Sequence, residues 1–287
     1  MNDFKILLDC KCSLGENPLW DSELNVLYWS DIDLGKIYMI DFTSKTSKMI
    51  YHGEMVGGFT LQKDGNLLLF RVADIAIFNI QNKSIKIVTT IPTGEFERFN
   101  DVIATPNGNV FAGTIGLDKN SGGFYHFTKN GDIKLLVSGT KISNGFAFNK
   151  NLNKLFWSDS SNQKIFSFDY DKHDDKISNQ QVFLDLSSEK KEVPDGITID
   201  SDNLLYIAKW GGSKIDIYSQ HGNKIKQFEL PVDKVSSLQF GGENLNRLFV
   251  TTAGGCNGNN DEIDGALFEI LSEATGVPEF KSSILLS

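Results

Sequence analysis

Short runs of β-branched and aromatic residues, such as GFTLQ, IAIFNI, IFSFDY and QQVFLDL, alternate with polar residues along most of the chain. Asp, Asn, Gly and Ser bound them. This period-two pattern predicts short antiparallel strands. No stretch of ten residues carries the apolar spacing of an amphipathic helix.

The runs recur as a unit. Six stretches place an Asn after a turn and before an apolar strand: Asn25 (NVLYWSD), Asn66 (NLLLFR), Asn109 (NVFAGT), Asn153 (NKLFWSD), Asn203 (NLLYIAK) and Asn246 (NRLFVTT). Their spacings are 41, 43, 44, 50 and 43 residues, and each unit holds four strand-like runs. Four strands on such a period is the signature of a β-propeller blade. The expected fold is therefore all-β: a six-bladed β-propeller, four antiparallel strands per blade, spanning residues 1–287 as one domain. The apolar segment Phe4 to Leu8 precedes the first unit. It is expected to pair with the last blade and close the ring, leaving no long open edge. The six Asn residues themselves are read as turn formers, because Asn tolerates left-handed backbone and bonds its own main chain.

The first strand of each blade lines the channel, so a fixed offset picks out equivalent positions. Counting back nine residues from the Asn gives Glu16, Gly57, Asn100, Asn144 and Ser237; counting back eight in the fifth unit gives Asp195. These six are expected to ring one mouth. Glu16, Asn144, Asp195 and Asn100 offer the oxygen donors that hard divalent cations select. A dication would also relieve two carboxylates facing each other across a narrow bore. The competing reading is a hydrated polar channel, and the offsets alone weigh the two evenly. Arg98, two residues before Asn100, has a planar five-donor head able to reach a ligand, or to pair with Glu95 or Glu97. Asp101 and Asp118 follow on the same blade.

Composition narrows the classes. With 287 residues, 40% hydrophobic and 23% charged, the chain has ordinary globular usage and can bury a sizeable core. Its net charge of -9 includes no basic block, so nucleic acid is not an expected partner. No run of 18 apolar residues spans a membrane, and MNDFKILLDCKC lacks a signal-peptide core. The expected location is cytoplasmic. Cys10, Cys12 and Cys256 lack zinc or CxxC spacing and read as reduced structural thiols. His52, His126, His173 and His221 fall in outer turns or strands. There is no GxSxG, HExxH, P-loop or GxGxxG. The run 257–265 (NGNNDEIDG) superficially resembles an EF-hand loop, but Glu262 stands where Gly is needed, so the 253–265 stretch is read as a loop near the mouth and a candidate lid.

Several motifs then stand together: LGENPLW (14–20), RFND (98–101), FAGT (111–114), SNGFAF (143–148), YDKHDDKIS (170–178), PDGITID (194–200), LPVDKVSS (230–237) and FGG (240–242). In order and spacing they resemble the senescence marker protein/gluconolactonase/luciferin-regenerating enzyme family over almost the whole chain. The resemblance implies one divalent cation in the channel and hydrolysis of a sugar lactone to the aldonic acid. By it Glu16, Asn144 and Asp195 hold the metal, with Asp195 also the general base. Arg98 and Asn100 contact substrate, and so does Asp118, which stands where some members carry a longer Glu. Oxygen-only donors admit calcium, zinc, magnesium, manganese or ferrous iron. Two departures from the family pattern, Asn17 in GENP and Val102 in NDV, place side chains beside the site, where each can reshape the pocket. A non-catalytic binding propeller, or a related esterase or organophosphate hydrolase, is the alternative on the same fold.

Overall fold

The computed structural model describes residues 4–91, 94–189, 191–254 and 263–286. They form 24 strands in six four-stranded antiparallel sheets arranged as a ring: a six-bladed β-propeller. The innermost strands are β2 (Gly15–Asp21), β6 (Val56–Leu61), β10 (Arg98–Ala104), β14 (Ser143–Phe148), β18 (Val193–Ile199) and β22 (Val235–Gly241). The sixth blade runs β22, β23 (Arg247–Thr252), β24 (Leu267–Leu271), and its outer place is taken by β1 (Phe4–Leu8). The register Phe4 to Ile270 and Lys5 to Glu269 closes the ring as the apolar segment foretold. No helix occurs among the described residues, and none is long and apolar enough to cross a membrane.

Apolar side chains fill the seams between blades. Phe124, fully buried, meets Phe146, Trp157 and Phe168 at centroid distances of 5.2, 5.2 and 5.9 Å across the seam of blades three and four. Burying one such ring contributes about 1.5–3 kcal/mol. The six repeat Asn residues lie in or beside the hairpins joining first to second strands. Asn25 and Asn203 have φ of 59° and 63° there, the left-handed conformation that Asn tolerates better than most side chains.

Every innermost strand carries one extra residue near its start. Between Glu16 and Leu19, for example, three steps on β2 oppose two on β3 (Val26–Asp31), from Ser30 to Tyr28. The same surplus occurs after Phe99, Ser143, Pro194, Val56 and Val235. A bulge of this kind re-aims side chains and ends regular pairing. In three blades the re-aimed residues are Asn100, Asn144 and Asp195. Glycine follows two of them because the next blade comes close: a Cβ on Gly145 would sit 2.4 Å from Ile197 N, and one on Gly196 2.3 Å from Ser237 Oγ.

The opposite end of the channel is crossed by the C-terminal segment, a feature the repeat pattern did not disclose. Ser201 N donates to Thr275 O at 2.8 Å, Phe280 packs on Phe148, and Lys281 pairs with Glu23 at 2.8 Å. Ser282 N then donates to Leu61 O, and Ser283 N to Gly108 O, both at 2.8 Å. The strap thereby ties blades five, four, one, two and three in turn.

Candidate active site

Glu16, Arg98, Asn100, Asn144 and Asp195 line one cavity of about 290 Å³ at the mouth where the innermost strands begin. Glu16, Asn100, Asn144 and Asp195 are each at most 6% exposed. Five apolar or aromatic side chains, Leu14, Ile115, Ile142, Val193 and Trp210, form its wall, together with Ser160.

Local hydrogen bonds set each donor. Ser160 gives its single hydroxyl proton to Pro194 O at 2.5 Å and so can only accept from Asn144 Nδ2 at 3.0 Å. That turns Asn144 Oδ1 outward, where it is buried without a hydrogen-bond partner among the described residues, as is Asp195 Oδ1. Unpaired buried oxygens cost free energy unless a ligand satisfies them. Arg98 spends Nη1 on Phe99 O at 2.9 Å and Asn100 Oδ1 at 2.7 Å, and Asn100 Nδ2 donates to Ser143 O at 3.0 Å. Asn100 thus anchors the guanidinium as well as lining the cavity.

The electrostatics are those of an acidic well. Burial, then Asp195 and Asp101, hold the Glu16 carboxyl well above the usual range. Burial and Asp101 do the same to Asp195, against the pull of Asn144 and Arg98. Asp101, in the β10 bulge, is pushed up to about 7 by burial. Burial lowers the pKa of Arg98, while Glu16 and Asp195 among other carboxylates oppose the shift. Asn144 and Asp195 therefore each offer a buried oxygen without a partner, and with the buried carboxylate of Glu16, whose Oε2 accepts from Asn17 N at 3.3 Å, they make up the donor set of a hard divalent cation. A second acidic group, Glu189, Glu192 and Asp216 at blade five, differs. Lys209 pairs with Glu189, Lys214 with Glu192 at 2.7 Å and Lys224 with Asp216 at 2.6 Å. Three ammonium groups already balance those three carboxylates.

Asp118 is not brought to the cavity. It is exposed in the turn after β11 (Val110–Ile115), where its Oδ1 accepts from Asn120 N at 2.8 Å. The two departures from the family pattern also turn away from the cavity. Asn17, at φ 51°, points its Oδ1 to Phe59 N at 2.6 Å in the seam with blade two. Val102 packs beside Gly58 and the apolar cluster of blades two and three. Both fill seams instead of reshaping the pocket. None of the four histidines lines the cavity. Cys256 and most of the 253–265 loop lie outside the described residues. Ser160 and the apolar wall were missed in the sequence, although Leu14, Ile142 and Val193 stand two residues before Glu16, Asn144 and Asp195, just as Arg98 precedes Asn100. The same offset count, carried two residues outward, finds those three but not Ser160, Ile115 or Trp210.

Fold and site together define a six-bladed propeller with a buried, oxygen-lined acidic well at one mouth of its channel. Residues 14–254 match the family model for the SMP-30/Gluconolactonase/LRE-like region, and the chain belongs to that family. It is 34% identical over 98% of both chains to pentonolactonase XacC of Haloferax volcanii, and 28% identical over 88% of both to human regucalcin. A solved luciferin-regenerating enzyme superposes with a TM-score of 0.89 at 25% identity, covering 97% of this chain and 98% of that one.

Proposed function

We propose that this chain hydrolyses a sugar lactone to the open aldonic acid, using a divalent cation held by Glu16, Asn144 and Asp195. The observation that carries the reading is the pair of buried, unpartnered oxygens, Asn144 Oδ1 and Asp195 Oδ1, at the cavity that Glu16 and Arg98 share. Its relatives named as lactonases support the substrate class. A bound cation supplies Lewis acidity toward a carbonyl oxygen. Asp195, at the cavity beside Asn144, accepts the proton of the attacking water. Arg98, fixed through Nη1, directs its remaining N–H groups to substrate oxygens, and Asn100 holds it there. Leu14, Ile142, Val193 and Trp210 keep bulk water from the well, which strengthens each of these polar contacts. Asp118 belongs to this proposal only if the turn that carries it moves toward the mouth.

The apolar wall is the one observation that favours a broader ester substrate. The test covers both readings: strip the protein with chelator, add back calcium, zinc, magnesium, manganese or ferrous iron singly, and follow acid release from glucono-, xylono- and arabinonolactone beside aliphatic lactones and phosphotriesters. We expect loss of sugar-lactone turnover on stripping and recovery with at least one cation. Full turnover without metal, or none on any sugar lactone with any cation, overturns it.

A further inference from the structure

Away from the well, the segment leading into β2 brings two thiols into contact. Cys12 Sγ donates to Cys10 Sγ at 3.4 Å, and Cys10 Sγ in turn donates to Gly265 O at 3.2 Å. Lys11 between them has φ 51°, so the backbone is already folded back on itself. Cys12 is 1% exposed, while Cys10 is only half-buried. The backbone around them is held from both sides: Cys12 N donates to Gly265 O at 2.9 Å, and Gly254 N to Cys12 O at 3.0 Å. A Cβ on Gly265 would meet Cys12 O at 2.1 Å, so the contact admits no side chain there.

From this geometry we infer that Cys10 and Cys12 form a redox-active dithiol that closes to an intramolecular disulfide on exchange with a small-molecule disulfide and reopens with excess thiol. The Cys12 S–H lowers the Cys10 pKa, and the same contact with burial raises that of Cys12, which makes Cys10 the attacking sulfur. The Cys10 thiolate attacks one sulfur of glutathione disulfide, forming a Cys10–glutathione bond and expelling one glutathione thiolate. Cys12, giving up its proton, attacks Cys10 Sγ, forms the Cys10–Cys12 bond and expels the second. The chain loses two electrons and two protons in total, and one glutathione disulfide becomes two glutathiones. Bond formation needs the sulfurs to close to about 2.05 Å in a small ring, and strained disulfides of this kind are the easily reduced ones. The pair is thereby suited to reversible closure in a way that a structural disulfide is not.

Trypsin cleaves after Lys5, Lys11 and Lys36, which puts Cys10 and Cys12 on separate peptides, 6–11 and 12–36. The full chain, treated with glutathione disulfide, blocked with iodoacetamide and digested, is expected to yield these two peptides as one disulfide-linked species that dithiothreitol separates. In Cys12→Ser the expected product is instead glutathione retained on Cys10. Cys256→Ser is expected to leave the linked species unchanged. Recovery of both peptides alkylated from the oxidised chain, or either of them joined to the peptide carrying Cys256, overturns the inference.

Discussion

Ser160 Oγ stands between Asn144 Nδ2, at 3.0 Å, and Pro194 O, at 2.5 Å, and so ties the orientation of one candidate ligand to the backbone beside another, Asp195. The hydroxyl can donate once, and it donates to the carbonyl. The amide of Asn144 has no choice but to face Oδ1 to the cavity.

Ser160→Ala frees that amide to rotate without removing a ligand. Groups that orient metal ligands are typically worth about 10- to 100-fold in affinity. We expect cation affinity, measured by titration calorimetry on chelated protein, to weaken by about that factor while the melting curve of the chelated protein stays close to wild type. Unchanged affinity would show that Asn144 is not oriented by Ser160 or does not bind the ion.

Glu16→Gln and Asp195→Asn separate holding from chemistry. Each removes one negative charge from the well, so both weaken cation binding. Only Asp195 is also assigned the proton. At cation concentrations that saturate each variant, Glu16→Gln should recover much of the wild-type turnover, whereas Asp195→Asn should remain about 10²- to 10⁴-fold slower, the usual worth of a general base. Wild-type rates in saturated Asp195→Asn would end the role given to Asp195.

The protons in the channel predict two opposite pH dependences. Glu16 and Asp195 are held above the usual carboxyl range while no cation is bound, and coordination needs both ionised. Binding therefore releases protons, and apparent affinity rises with pH; calorimetry in buffers of differing ionisation enthalpy reads the number released. Folding of the chelated protein runs the other way. Asp101 titrates at about 7 and Glu279, at the far end of the bore, at about 8, against ordinary values of 3.8 and 4.5. The folded chain keeps protons that the unfolded chain gives up, so this stabilisation is complete below the ordinary values and is lost as pH rises toward 8. The melting temperature of chelated protein should fall across that window, and Asp101→Asn should flatten the fall.

The propeller was legible because each blade repeats its turn chemistry and strand alternation, and the ring of Glu16, Asn100, Asn144 and Asp195 was legible because those positions share an offset from the repeat Asn. That offset works for a reason absent from any single motif: in blades three, four and five the bulge falls on the counted residue and aims it inward, and in blade one it directly follows Glu16. What stayed hidden depends on contacts between segments distant in sequence. Ser160 matters through Pro194, 34 residues on. Asn17 looks like a pocket residue until its bond to Phe59 N, 42 residues away, turns it into the seam. Asp118 follows the family's order, yet its own turn bonds hold it at the surface.

Ile284 tests the part of the fold that no repeat announced. It is fully buried in the apolar cluster of blades two and three, beside Phe99 and Phe127, although it lies three residues from the end of the chain. Its own amide donates to Gln62 Oε1 at 2.8 Å, the neighbouring Ser282 hydroxyl lies 2.7 Å from Thr60 Oγ1, and Leu285 N donates to Lys129 O at 2.9 Å, so the strap is pinned to blade two before the side chain and to blade three after it. Truncating a buried Ile to Ala removes apolar burial and leaves a cavity, which costs about 2–5 kcal/mol. Ile284→Ala is expected to lose stability in that range by denaturant unfolding, while cation affinity at the opposite mouth changes little in the folded protein, because no residue of the strap lines that cavity. A loss below about 0.5 kcal/mol, the usual scale of a surface substitution, would mean that the strap rests on the propeller without supporting it.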